Sequence, residues 1–177
     1  MAGPNGAGSQ IFNIGKSKAK IFDKEGAEVK VDFKDVAGLE GAKEEVQEIY
    51  EARIGIESMA AFLAAERGPT EAFETFQQKF EDMMARRDDY DLDVTLKLGQ
   101  DFHVEIFRAS RNRYLNEVYE PLRIRHRVTL GLPKFYNPEW VRESVIEHLA
   151  ILDAIERGES AEARQLICDH LIKGLDV

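Results

Sequence analysis

Asp91-Leu-Asp-Val-Thr-Leu-Lys-Leu-Gly-Gln-Asp-Phe-His-Val-Glu-Ile-Phe-Arg-Ala-Ser110 is the stretch that decides the fold. Val94, Leu98, Phe102 and Ile106 recur at every fourth residue, with Phe107 beside the last. That is the spacing of one helical face and not the alternation of a strand. The same pattern extends in both directions. Towards the N-terminus, Val46, Ile49, Tyr50, Ile54, Ile56, Met59, Phe62 and Leu63 predict a helix from about Leu39 or Val46 to Arg67, stopped by Gly68-Pro69. Phe73, Phe76, Phe80, Met83 and Met84 predict a second helix, with Thr70 as its cap. Towards the C-terminus, a helix is expected over about 113–130. Another is expected from Asn137-Pro138, a cap followed by a proline suited to the first turn, to Gly158. A last one runs from about Ser160 to Lys173. No segment after residue 40 reads as a strand, so the expected fold is all-α: an antiparallel bundle of about six helices.

Residues 1–35 read differently. Gly3, Pro4, Gly6, Gly8 and Gly15 punctuate an irregular start, and Val29-Lys-Val-Asp-Phe33 alternates like a brief strand. This tail lacks the apolar content for a core of its own. The expected organisation is a tail over 1–45 and a helical domain over 46–177. Gly41-Ala-Lys-Glu-Glu-Val-Gln-Glu48 is a good helix former apart from its glycine and is in phase with Ile49 and Tyr50. One continuous helix through the junction is therefore expected.

With 44% hydrophobic and 32% charged residues, the chain reads as soluble and globular. A net charge of −9 argues against nucleic acid binding by this chain alone, because phosphate contacts need clustered Lys and Arg. No apolar run approaches a membrane span, and Met1-Ala-Gly-Pro4 is not a signal peptide. Cys168 is the single cysteine, which excludes an internal disulfide and fits a reducing, cytoplasmic setting.

Three histidines stand at similar places in three predicted helices: His103 in Asp101-Phe-His-Val-Glu-Ile106, His148 in Glu147-His-Leu-Ala-Ile-Leu152 and His170 in Asp169-His-Leu-Ile172. Either they converge in the bundle as metal ligands, or each is an isolated, hydrogen-bonded core histidine. Each has an acidic neighbour. Three histidines with open positions suit zinc or nickel, with water completing the shell. His126, in Arg123-Ile-Arg-His-Arg127, lies in a charged run and is expected at the surface. Gly3-Pro-Asn-Gly-Ala-Gly8 begins like a phosphate loop but continues Ser9-Gln10 without the lysine, so no ATP binding is expected. The protease zinc motif H-E-x-x-H is absent as well.

From about Ile49 to the end the chain resembles the FadR C-terminal (FCD) domain, the effector-binding module of GntR-family transcription regulators. The matching words are Tyr50-Glu-Ala-Arg53 with Glu57 and Leu63-Ala-Ala-Glu-Arg67, then Phe102-His103 with Ala109-Ser-Arg-Asn112. Glu147-His148, Ile151-Leu-Asp-Ala-Ile155 with Gly158, and His170-Leu171 complete the series. The resemblance implies a helical bundle around a cavity that often holds a metal and binds a small carboxylate effector. It also implies an arginine pointing into that cavity, a role that falls on Arg53. Such an arginine could grip a carboxylate in bidentate fashion, or Arg53 is a solvated or salt-bridged helix residue. Such regulators commonly dimerise, which makes a homodimer the assembly to expect. The family usually places an aspartate one turn before the Phe-His histidine. Here that position is Gly99, and Asp101 is no replacement because two residues turn a helix by about 200°.

Residues 11–49 resemble an unrelated family, the FtsH membrane AAA proteases. The words are Ile11-Phe-Asn-Ile-Gly-Lys-Ser-Lys-Ala-Lys20 and Phe33-Lys-Asp-Val-Ala-Gly-Leu-Glu-Gly-Ala-Lys-Glu-Glu-Val-Gln-Glu-Ile49. The chain therefore reads as a chimera joined inside a helix. No winged helix precedes residue 46. The reading these residues support is a non-enzymatic sensor domain for a small organic acid, with a metal at His103, His148 and His170. The alternatives are an orphan structural fragment with an empty site, or a non-catalytic piece of an FtsH-like ATP-dependent protease.

Overall fold

The computed structural model describes residues 39–86, 91–129 and 137–175. The expectations for residues 1–35, including the brief strand over 29–33, lie outside the described residues. Among the described residues there are six helices and no strand: α1 (Leu39–Arg67), α2 (Ala72–Ala85), α3 (Leu92–Ala109), α4 (Arg113–Thr129), α5 (Pro138–Glu156) and α6 (Ser160–Leu175). The all-α bundle read from the four-residue spacing is the fold observed.

α1 runs unbroken for 29 residues through the junction at 46–49. It ends where Gly68 takes φ +84°, a left-handed conformation that suits glycine. This helix packs most extensively along α6 and also touches α3, α4 and α5. A helix surrounded in this way needs small residues where neighbours come close. Ala60, Ala61, Ala64 and Ala65 are all buried, on one face by their one-turn spacing. One to two turns earlier, α1 buries a charged pair instead, Arg53 and Glu57. The site begins there.

The other end of the core is aromatic. The Phe102 ring meets Phe73, Phe76 and Phe80 with centroids 5.8, 5.5 and 5.5 Å away, the Phe73 and Phe80 contacts being edge-on. Edge-to-face pairs align a positive ring edge with a negative ring face. These contacts fix α2 and α3 together and set the neighbouring residue, His103, at a defined depth.

Helix starts follow the sequence in two cases and depart from it in one. The Asp91 carboxylate accepts from Val94 N at 3.1 Å, and the Asn137 side chain accepts from Glu139 N at 2.9 Å with Pro138 in the first turn. Thr70 is not the cap of α2. Glu71 holds that position without a side-chain cap bond, and the Thr70 hydroxyl donates to Glu105 Oε1 at 2.6 Å. Glu105 is buried; Arg108 pairs with its Oε2 at 3.0 Å, and the Thr70 hydroxyl satisfies the other oxygen, whereas water can satisfy an exposed helix end.

Phe102→Ala removes the ring shared by three aromatic contacts. Urea unfolding should show a loss of about 3–5 kcal/mol. Val94, expected on the apolar face of α3, is exposed instead, because each four-residue step drifts about 40° around the helix. Val94→Ala should stay within about 0.5 kcal/mol of wild type.

Candidate metal centre and ligand cavity

α3, α5 and α6 bring His103, His148 and His170 to one place. Each offers a ring nitrogen, and these nitrogens lie within 4.8 Å of one another. His103 Nε2 and His148 Nε2 are 3.2 Å apart. Ligands about 2.0–2.1 Å from a tetrahedral ion stand about 3.4 Å apart, so a pair at the 4.8 Å limit would have to close by about 1.4 Å to hold one ion.

Two of the rings are held from behind by carboxylates. His103 Nδ1 donates to Glu57 Oε2 at 2.5 Å, and His170 Nδ1 donates to Glu147 Oε2 at 2.7 Å. An ionised carboxylate can only accept, so both protons belong on Nδ1 and both Nε2 lone pairs face the centre. The proton between the two close Nε2 atoms must then be that of His148. This leaves a lone pair on His148 Nδ1, which is buried and has no hydrogen-bond partner among the described residues. A buried polar atom of this kind is costly in a dry fold. A cation could replace the proton between the two rings: with the His148 proton on Nδ1, its Nε2 lone pair would join those of His103 and His170.

The protonation states agree. Burial lowers His103, although Glu57 works in the opposite direction. Burial, with His170, His103 and Arg53 nearby, holds His148 well below the ordinary histidine range. Neutral imidazole is the metal-binding form. Burial works to raise the Glu57 carboxyl, but the Arg53 and His103 charges and hydrogen bonds outweigh it and hold it at about 2.

Gly99 lies one turn before His103, and the His148 ring occupies the space of the missing side chain. A Cβ at Gly99 would stand 2.8 Å from His148 Cε1. The ring also stacks on Phe80, with centroids 5.3 Å apart. A carboxylate at position 99 would therefore have to displace His148 before it could join the site. Asp101 points elsewhere, as its place in the helix requires, and pairs with Lys97 at 2.5 Å.

Arg53 is buried in the same cavity. Its Nε donates to Glu57 Oε1 at 2.5 Å, and its guanidinium lies over the Tyr50 ring, 5.1 Å from the centroid. Burial works to lower the guanidinium, but Glu57, Tyr119 and Tyr50 keep it charged. Arg53 is not solvated: it is the salt-bridged helix residue that one reading allowed, and its side chain also lines the cavity. His126 corrects the sequence reading: it is buried, and its Nε2 lies 3.0 Å from Tyr50 Oη. Its arginine neighbours suggested a surface run. However, Tyr119 is buried two helical turns earlier on the same face of α4, and that spacing was the available signal. Glu57 was also legible in part, as the fourth residue after Arg53. Its second partner, His103, has no local signature. Glu147 serves His170 and not its own neighbour His148, which adjacency in sequence could not reveal. Tyr50, Arg53, Gly99, Tyr119, His126 and the three histidines line a cavity of about 50 Å³, room for a few waters.

An all-α bundle with a buried arginine and three convergent histidines around an internal cavity has the form of a ligand-binding sensor domain. Residues 48–173 match the FCD domain, and the chain belongs to that family. FCD domains are the ligand-sensing, effector-binding domains of GntR-type regulators. The chain is also similar to short segments of FtsH-type proteins. It is 56% identical over 50 residues to the ATP-dependent zinc metalloprotease FtsH of Parabacteroides distasonis, covering 28% of this chain and 7% of that one. The corresponding enzyme of Rhodothermus marinus is 58% identical over 43 residues, 24% of this chain and 6% of the enzyme. The m-AAA protease component YTA10 of Saccharomyces cerevisiae is 53% identical over 38 residues, 22% and 5% respectively. The chain thus spans less than a tenth of the length of these curated relatives. A chain with an FCD domain and a short FtsH-like segment is what the two resemblances in the sequence implied. Among the described residues no helix is long and apolar enough to cross a membrane.

Burial also keeps His126 neutral, with Arg53 adding to the effect. The folded pKa values of His103, His126 and His148 lie below the unfolded value of about 6.5. As pH falls below 6.5 the unfolded chain takes up protons that the native state refuses, so stability declines. The slope per histidine is at most about 1.4 kcal/mol per pH unit. Glu57 contributes its own loss only between about 4.5 and 2. Urea unfolding in chelator between pH 7.5 and 5.5 should show the decline, and His126→Gln should flatten it.

Proposed function

We propose that this domain senses a small organic acid in a GntR-type transcription regulator of the cytoplasm, acting as a homodimer. A divalent metal, zinc or nickel, would be held by His103, His148 and His170, and Arg53 would grip the effector carboxylate. The observation that carries this reading is the donor set: His103 and His170 each have a carboxylate behind Nδ1, and His148 Nε2 lies 3.2 Å from His103 Nε2. The ion when bound supplies positive charge and open positions for an anionic ligand.

The chain's own residues account for the choice of an anion. The three histidines are neutral donors, and the Arg53 charge is matched by Glu57. Before loading, the cavity is close to neutral. After loading it carries an uncompensated positive charge, because Gly99 offers no carboxylate. Tyr50, Tyr119 and His126 add hydrogen-bonding groups on the wall that Arg53 shares. The cavity volume suits a ligand of very few atoms, or a larger one after α4 and α6 part. The DNA-binding function belongs elsewhere in such a regulator, in keeping with the acidic charge of this chain.

Zinc titration of the purified chain, followed by metal analysis after dialysis, tests the proposal. One ion per chain is expected, and His148→Ala should abolish uptake. In chelator the same variant should also be less stable than wild type, because it removes a buried ring that stacks on Phe80 and bonds His103. Uptake that survives His148→Ala would place the metal elsewhere.

Gly99→Asp separates ligation from helix propensity. In chelator the new Cβ crowds His148, and the variant should melt below wild type even though removing a helix glycine is worth about 1 kcal/mol. In zinc the added carboxylate should recover that loss, so the gap between the zinc and chelator melting temperatures should widen. An equal change in both conditions would mean that the added carboxylate does not reach the ion.

A further inference from the structure

We propose that Glu57 is a coupling residue: its two carboxylate oxygens join the ligand-gripping Arg53 to the metal-facing His103, so that occupancy of either subsite strengthens the other. This rests on the metal and effector reading above and adds to it a mechanism of regulation.

The geometry is a straight relay across α1 and α3. Arg53 Nε donates to Oε1 at 2.5 Å, and His103 Nδ1 donates to Oε2 at 2.5 Å. All three side chains are at least nine-tenths buried, so water cannot take over either bond. Both donors draw on one negative charge. A carboxylate ligand that engages the Arg53 guanidinium reduces the pull of Arg53 on Glu57. The Glu57 charge then polarises His103 Nδ1–H more strongly, and electron density rises at Nε2, the atom that faces the metal position. The reverse holds too. A cation on His103 Nε2 makes Nδ1–H a stronger donor, tightens the His103–Glu57 bond and frees the guanidinium for an incoming anion. Linkage requires the two effects to be equal in size. Glu147 behind His170 is different, because its second donor is Lys173 at the surface and not a residue in contact with the cavity arginine.

The test uses the full chain with zinc and acetate as probes. Zinc affinity is measured by chelator competition with and without saturating acetate, and acetate affinity with and without zinc. Wild type should show one coupling factor in both directions, on the order of tenfold. Glu57→Gln keeps the shape and removes the charge. It should weaken zinc by about 10–100-fold, as loss of a carboxylate behind a ligating histidine does. It should also tighten acetate in the metal-free protein, because Arg53 is no longer neutralised, and lower the coupling factor at least threefold. Opposite signs for the two probes are the signature of the relay. A purely structural defect would weaken both, and that result, or a coupling factor unchanged in the variant, would overturn the inference. If the variant does not fold, the wild type decides. The His103 Nδ1 proton, observed by NMR in histidine-labelled, metal-free protein, should move when acetate is added, and an unmoved resonance overturns the relay. A wild type that takes up no zinc removes the metal reading itself and the relay with it. Zinc uptake without coupling removes the relay alone.

Discussion

A carboxylate with 1% of its surface exposed has to be neutralised where it stands, and the neutralisation of Glu57 constrains the rest of this bundle. The groups that do it come from two helices. Arg53 lies one turn earlier on α1, and His103 comes from the middle of α3. Loss of either would leave a buried charge short of a partner, at a cost of about 3–5 kcal/mol. The register of α1 against α3 is therefore fixed by charge as well as by packing. The alanines later in α1 and the ring cluster on α2 and α3 hold the same two helices from the other end. The cavity lies on the far side of the charged cluster from the alanines, lined on α1 by Tyr50 and Arg53 and on α3 by Thr95, Gly99 and His103.

Much of the fold could be read from the chain because it is written in local terms. The four-residue spacing of Val94, Leu98, Phe102 and Ile106 needs no tertiary knowledge, nor do Gly68-Pro69 or Asn137-Pro138. The site was legible where a helix puts two partners one turn apart, as with Arg53 and Glu57. Convergence of His103, His148 and His170 could be suspected from their similar places in three helices. What escaped were choices between distant partners. Thr70 could cap its own helix or satisfy Glu105 across the bundle, and only the burial of Glu105 decides. His126 has arginines on both sides in sequence, yet the residue that matters to it is Tyr50, on another helix. The role of Gly99 was half visible. Its lack of a carboxylate is plain in the sequence, whereas the use of that space by the His148 ring is a matter of packing.

The boundary between the two resemblances also has a physical side. The FCD match begins at residue 48, inside α1, and the helix continues through that point without interruption. A helix is tolerant of such a join when the apolar phase is kept, because backbone hydrogen bonds do not depend on which family supplied the residues. Among the side chains described on α1, the first fully buried ones are Ile49 and Tyr50, just past the join. The residues contributing to the cavity therefore all belong to the FCD part, and the sensing role can be tested without reference to the FtsH-like segment.

The most direct test of the central claim is a crystal structure of the chain grown with zinc, with anomalous data collected at the metal edge. The account predicts one strong anomalous peak about 2.0–2.1 Å from ring nitrogens of His103, His148 and His170. Glu57 and Glu147 should still stand behind the first and last of these. A well-ordered site with no peak, or a peak bound by other residues while the three rings keep their present contacts, would contradict it.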